Sequence, residues 1–278
     1  MAFFPPGLVW LASYPKSGNT WMRVLLANLI AGKEKPADIN NLAEHSTLVG
    51  RWRFADDMLV DPDLLDWREL EMMRPLLGDF VAHNLTSPFF CKTHDQFVGR
   101  NERPVLGTQA QGALYIVRDP RDVAISLCHH ASLSLDATIE RMLDPDFASG
   151  GGMQVPYLLG DWAGHVQAWT RQQQVRTKVV RYEDMRRDTP GTLADIVDFL
   201  GGQATPAEMR RAVDHSSLDE LQRQEAGRGF RESRPGQKRF FRAGQIGEWR
   251  EVLTPMQVRA IEGHCGDIMA AWGYEPEG

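Results

Sequence analysis

The stretch WLASYPKSGNTWMRVLLANLI, from Trp10 to Ile30, restricts the folds open to this chain more than any other segment. It begins inside a mostly apolar run, Leu8 to Tyr14, the pattern of a strand buried on both faces of a parallel sheet. It ends with Met22, Leu25, Leu26, Leu29 and Ile30 at the i, i+3, i+4, i+7 spacing of an amphipathic helix that stops near Gly32. Between the two lies a tight turn with Lys16, Ser17, Gly18, Asn19 and Thr20. Such a turn exposes backbone N–H groups at the positive end of a helix dipole, where an anion binds readily. Gly18 permits close backbone approach, Ser17 and Thr20 add hydroxyls, and Lys16 adds a charge. The nucleoside triphosphate spelling GxxxxGK[ST] is absent. On spacing alone, a plain strand–helix connection with an exposed lysine accounts for the segment equally well.

The unit recurs. In ALYIVRDPRDVAISLCHH, Ala113 to Val117 is an apolar strand, Asp119 is a cap, and Pro120 suits the first helical position. Phe89–Thr93 and Thr177–Arg181 read as further strands. Helices are expected over Asp61–Leu76, Asp161–Gln174, from YEDM through Leu200, from the Thr205–Glu208 capping box to His215, and from Thr254-Pro255 to about Trp272. Strands alternating with helices predict one α/β domain over residues 1–278, with a parallel central sheet flanked by helices. Two stretches break the alternation. Leu133–Gly160, with Gly150-Gly151-Gly152, reads as a mobile segment, and Gln222–Lys238, rich in arginine and glycine, as a basic surface loop.

A formal net charge of −6 gives the whole molecule no attraction to nucleic acid or anionic membrane, so an anionic ligand needs a local basic pocket. Cys91, Cys128 and Cys265 have neither disulfide nor zinc spacing, which points to a reducing compartment, the cytoplasm by default. The apolar start lacks a basic n-region and is broken by Pro5-Pro6, so it reads as a strand rather than a signal peptide. No run approaches the roughly 18 apolar residues of a membrane span. The preference for arginine over lysine is compatible with a GC-rich bacterial genome.

YPKSGNTW resembles the 5′-phosphosulfate-binding loop of the cytosolic-type sulfotransferases, which use 3′-phosphoadenosine 5′-phosphosulfate (PAPS). YIVRDPRDVAISL resembles their 3′-phosphate-binding strand and helix, and Lys92-Thr93-His94 their catalytic-base segment. VVRYEDM, DHSSLDEL and FFRAGQIGEW resemble three further landmarks in the right order, and Leu253–Pro255 and the closing WGYEP also fit. The likeness covers nearly the whole chain.

The resemblance implies a job for each residue. Backbone N–H groups from Ser17 through Gly18 and Asn19 to Thr20, with the Ser17 and Thr20 hydroxyls, hold the 5′-phosphate. Lys16 reaches the oxygen bridging phosphate and sulfuryl group. Trp21 stacks on adenine with Tyr182 nearby, and Ser216 and Leu218 lie on the adenine side. Arg118 and Ser126 bind the 3′-phosphate, Arg118 by a forked pair of charge-assisted bonds, and Arg242 with the Ala243-Gly244 backbone closes on it from a loop. His94 is the general base toward an acceptor hydroxyl, and Lys92 positions the transferred group. No metal is implied.

Without the resemblance, Arg118 is more simply a surface partner of Asp122, and a lone histidine a structural one. His129 and His130, adjacent and so facing different ways, are read as structural, and His83 has no assignment. Three departures stand out: Asn19 where threonine is common, Arg-Ala-Gly for Arg-Lys-Gly (with Lys238 or Arg239 as stand-ins), and no KxxxTVxxxE dimer segment, which leaves the oligomeric state open.

The expected acceptor is a small hydroxylated molecule: a phenol, an alcohol or a microbial natural product. Its walls are expected from Ala37–Val60, His83–Pro88 and Leu133–Leu159, with 133–160 as an acceptor lid and 222–244 as a loop closing on the cofactor. The rival readings are a P-loop-like kinase and a non-catalytic protein that binds PAPS or its product PAP.

Overall fold

The structure is a computed structural model that describes every residue except 1–2, 43–46, 235–236, 238 and 278. β1 (Gly7–Ser13) runs through the glycine turn into α1 (Asn19–Ala31). Two helices, α2 (Arg51–Met58) and α3 (Trp67–Asn84), precede β2 (Pro88–Thr93). β3 (Gly112–Val117) leads to α4 (Pro120–Ala131) and α5 (Leu135–Met142). A hairpin of β4 (Ala148–Gly151) and β5 (Gln154–Leu158) precedes α6 (Trp162–Arg171). After β6 (Thr177–Arg181) come α7 (Tyr182–Arg187), α8 (Thr189–Phe199), α9 (Pro206–Asp214), α10 (Leu218–Arg228), α11 (Trp249–Val252) and α12 (Pro255–Ala271).

The main sheet has the order β2-β1-β3-β6, and all its pairings are parallel. Alternation along β1 builds a core on each face. Leu8, Trp10 and Ala12 join one apolar cluster, and Val9 and Leu11 join the other. The chain moves from β1 outward to β2, then returns across β1 to β3. The loops after β1 and β3 therefore open a crevice at the C-terminal ends of the strands, where ligands bind in open parallel sheets.

Three sequence expectations change. The helix expected over Asp61–Leu76 is a single 3-10 turn, Pro62–Leu64, followed by a fresh start at Asp66. Asp66 and Glu69 form a capping box, and α3 continues past Pro75 to Asn84. The basic loop expected from Gln222 is helical as far as Arg228, because Ser217 caps α10 by accepting from the Glu220 N–H. Leu133–Gly160 is not irregular throughout. It holds α5, capped by Ser134, and the β4–β5 hairpin.

Candidate active site

The end of β1 forms the floor of the site. Lys16 takes a left-handed backbone conformation (φ 68°), and Gly18 (φ 109°) starts α1 without any side chain capping the helix. The first amides of α1 are thus left for another acceptor. A Cβ on Gly18 would lie 2.7 Å from Cδ2 of Tyr182, so the turn has room only for glycine. Ser17 is fully buried, and its hydroxyl has no hydrogen-bond partner among the described residues. Such an orphan beside uncapped amides is the arrangement a phosphate would complete. Asn19 donates from Nδ2 to the Leu11 carbonyl (2.8 Å), so its side chain ties the turn to β1.

β2 delivers Lys92 and His94. His94 Nδ1 lies 2.7 Å from the Ser13 carbonyl. A carbonyl only accepts, so Nδ1 carries the proton and Nε2 keeps its lone pair. Burial, then the Lys92 charge, push the His94 pKa down to about 3, so the imidazole is neutral near pH 7. The ring's own backbone is held from behind. His165, fully buried, donates from Nε2 to the His94 carbonyl (3.2 Å) and accepts at Nδ1 from the Tyr115 hydroxyl (2.9 Å). Asp95, next in sequence, lies 2.5 Å from the Arg74 guanidinium and accepts from Thr93 Oγ1 at 2.6 Å.

Two cations, Lys92 and Arg23, share one carboxylate. Glu232 accepts from Lys92 Nζ (3.0 Å) and from Arg23 Nη1 (2.6 Å). Burial opposes its ionisation, but Lys92 and Arg23 outweigh this and hold it at about 2. Lys16 has its Nζ 3.9 Å from the centre of the Phe240 ring. Burial, then Lys92 and Arg118, lower its pKa to about 7.

Arg118 follows β3 and is buried. It is not the surface partner of Asp122, whose carboxylate accepts from the Gly247 and Trp249 amides. Arg118 stacks over Tyr182 at 4.3 Å and donates to the Lys16 and Gln245 carbonyls, and its Nε has no partner among the described residues. The turn after β1 and the loop carrying Gln245 are thereby joined through one guanidinium. Tyr182 donates to the Gly244 carbonyl (3.2 Å), and Trp21 lies edge-on to Tyr182 at 6.0 Å. Arg242 forms a two-pronged pair with Glu248, with Nη1 2.6 Å from Oε1.

These residues surround a cavity of about 690 Å³. It brings together Lys16, Gly18, Asn19, Thr20, Trp21, Lys92, His94, Arg118, Ser126, Tyr182, Leu218, Arg242, Ala243 and Gly244. Ser17 lies buried beneath it. Ser216 is not among its walls. Its hydroxyl donates to the Ala212 carbonyl and accepts from Asn28, while its own carbonyl accepts from the Trp21 indole. Through that carbonyl it braces the Trp21 ring, which does line the cavity.

Of the expected acceptor walls, Thr47 and Val49 reach the cavity from one stretch, and Thr138, Phe147, Tyr157 and Leu159 from another. His83–Pro88 contributes nothing. It runs from the end of α3 into the first residue of β2, Pro88, which pairs with Gly7 at the opposite end of the sheet. His130, read as structural, lines the cavity and contacts Gln237 through Nδ1 (3.1 Å). Glu232, Arg234 and Phe240 also reach it, from the stretch 222–244 expected to close on the cofactor, although none of the three is singled out in the sequence. A basic, glycine-rich composition marks that loop but does not tell which side chains turn inward. Lys238, a suggested stand-in cation, lies outside the described residues.

A parallel α/β sheet with an anion cradle at its switch point, a half-buried neutral histidine and converging cations defines a group-transfer site for an anionic donor. The chain belongs to the sulfotransferase domain family, which matches residues 6–273, and is by that membership a sulfotransferase. It is 28% identical to Cytosolic sulfotransferase 13 of Arabidopsis thaliana over 91% of this chain and 74% of the relative. It is 26% identical to Sulfotransferase 2A6 of Rattus norvegicus, over 96% and 85% of the two chains. In fold it is similar to a crystal structure of a mouse sulfotransferase complexed with PAP, with TM-score 0.59 and 23% identity over 95% and 84% of the chains. A retinol dehydratase crystallised with retinol and PAP matches with TM-score 0.63 and 24% identity over 95% and 82%.

Proposed function

We propose that this sulfotransferase moves the sulfuryl group of PAPS to the hydroxyl of a small acceptor in the cytoplasm, with His94 as general base. In this reading the Ser17–Thr20 turn holds the 5′-phosphate. Arg118 and Ser126, with Arg242 released from Glu248, hold the 3′-phosphate, and Trp21 packs against the adenine. His94 Nε2 takes the proton of the acceptor hydroxyl as its oxygen forms a bond to sulfur. The bond from sulfur to the bridging oxygen breaks, and Lys16 stabilises the charge gathering there. A preorganised contact of that kind is worth roughly 10²–10³ in rate. Lys92 steadies the transferred group once it exchanges Glu232 for the anion. The segments 133–160 and 222–244 close over acceptor and donor respectively.

The observation that carries the base assignment is the His94 tautomer: Nδ1 is committed to the Ser13 carbonyl, and the ring lines the same cavity as Lys16 and Lys92. The test is His94→Ala. Sulfur transfer from PAPS to a phenol panel should fall by at least about 10², while PAP affinity in calorimetry stays within about threefold. Turnover left intact would remove His94 from the base role. Phosphoryl transfer from ATP–Mg²⁺, in place of sulfur transfer from PAPS, would point to the kinase reading.

A further inference from the structure

We propose that Glu232 is a built-in counter-ion for Lys92 through which the site tells PAPS from PAP. The sulfuryl group of the donor displaces its carboxylate, which returns once that group has left. This rests on the function proposed above and concerns the control of the same site.

The carboxylate spans the gap between the helix of the cradle and the strand of the base. Its Oε1 accepts from Nη1 of Arg23 (2.6 Å), on α1 one turn beyond Asn19. Its Oε2 accepts from Nζ of Lys92 (3.0 Å), on β2 two residues before His94. Glu232 lines the same cavity as Lys16, Lys92 and His94. The backbone on both sides of it is tied down. Asn40 accepts from the Arg231 amide (2.8 Å) and donates to the Gly229 carbonyl (3.0 Å). Phe230 is buried in a cluster with Val24, Ile39 and Leu221, and its carbonyl accepts from the Ser233 amide (2.9 Å). Further along the same loop, Phe240 packs against Phe230 with ring centres 4.6 Å apart and carries Lys16 Nζ over its face. One loop thus meets both lysines that act on the reacting group in the proposed function.

Lys92 is three-quarters buried, and burial disfavours its charge, so an anion beside it is needed to keep it ionised. Among the described residues, Glu232 is the acidic group that pairs with it. A sulfuryl group brought to the same ammonium meets the Glu232 carboxylate at close range, where like charges repel strongly. The two anions therefore exclude one another at Lys92. PAPS must displace Glu232, whereas PAP ends at its 5′-phosphate and leaves the pair intact. After transfer the sulfuryl oxygens depart with the acceptor, and Glu232 restores the pair. Lys92 then has an anion at every stage.

The test is Glu232→Gln, with calorimetric titration of PAPS and of PAP in the absence of acceptor. The two nucleotides carry nearly equal charge, roughly −4, so a general change of field affects both alike. The variant's affinity for PAPS should rise by about tenfold more than its affinity for PAP. In a Lys92→Met background the same substitution should change that ratio by less than about twofold. Breaking a pair that includes a buried arginine destabilises the fold, so the wild type supplies a second measurement. Amide hydrogen exchange over 229–234 should be faster with saturating PAPS than with saturating PAP, because only PAPS releases the loop from α1 and β2. Equal affinity gains for the two nucleotides overturn the inference, as does exchange that is alike in the two complexes. If the wild type still sulfates phenols, the counter-ion role alone falls. PAPS binding without transfer to any hydroxyl overturns the proposed function, and this inference with it.

Discussion

In its proposed role Lys16 joins two conflicting demands, because it would have to be charged to stabilise a leaving oxygen yet is held where charge is disfavoured. Burial, Lys92 and Arg118 bring its pKa to about 7, so around pH 7.5 much of it is neutral in the free protein. A donor of roughly −4 reverses that field and raises the pKa. Between the free and bound values, binding must therefore bring a proton with it. PAP affinity should weaken as pH rises from about 7 to 9, by up to about tenfold per pH unit. Calorimetry in buffers of different ionisation enthalpy should show net proton uptake at pH 7.5–8, and Lys16→Met should abolish it. Affinity flat across that range would mean that the bound donor does not sense Lys16. The strand, turn and helix of the cradle are legible in the sequence because Lys16 to Trp21 are contiguous, as are Lys92 to His94; what the turn holds follows from the family resemblance and not from spacing. Arg234 and His130 are not legible in it. Their inward placement depends on how a loop distant in sequence folds over the strand ends, which no periodicity encodes.

At the scale of elements, the turn between β1 and α1 is confined where Tyr182 packs against it. Gly18 combines a φ of 109° with a Tyr182 ring that leaves no space for a methyl group. Gly18→Ala should lose about 2–4 kcal/mol of stability, since neither the backbone nor a buried aromatic ring yields cheaply. It should also displace Tyr182 and weaken PAP binding, and urea unfolding with and without PAP measures both effects. Stability within about 0.5 kcal/mol of the parent would show that the turn relaxes. The strands and their helices were readable from apolar runs and caps. Where they were misread, a local signal had been overlooked. Asp66 and Glu69 restart α3, and Ser217 carries α10 through sequence that composition marks as loop. The β4–β5 hairpin is different. Its glycines and sparse apolar pattern look irregular, and β5 is anchored by contacts such as the Val155 amide to the Val49 carbonyl (2.8 Å), which couple segments far apart in sequence.

Across the whole molecule, the support of the site and the stability of the fold meet at buried histidines. His165 is fully buried between Tyr115 and the His94 backbone, and burial lowers its pKa to about 4. Its ring is neutral in the folded state, because Nδ1 accepts while Nε2 donates, and protonation would place a second N–H against the Tyr115 hydroxyl. In the unfolded chain the same group titrates near 6.5. Between about pH 6.5 and 4 the unfolded state therefore binds the extra proton, and stability must fall as pH falls through that window. At pH 5 this single residue costs about 2 kcal/mol relative to pH 7.5. His94, with a pKa of about 3, adds to the loss in the same direction. Unfolding should thus become easier just below pH 6.5, before most carboxylates protonate. His165→Gln, which keeps one donor and one acceptor, should be less stable at pH 7.5 yet lose less between pH 7 and 5. Its kcat should fall more than its PAP affinity, because the His94 backbone is no longer held in place. If wild type and variant show the same slope of stability against pH, His165 already carries its proton in the fold, and the tautomer argued for His94's support is wrong.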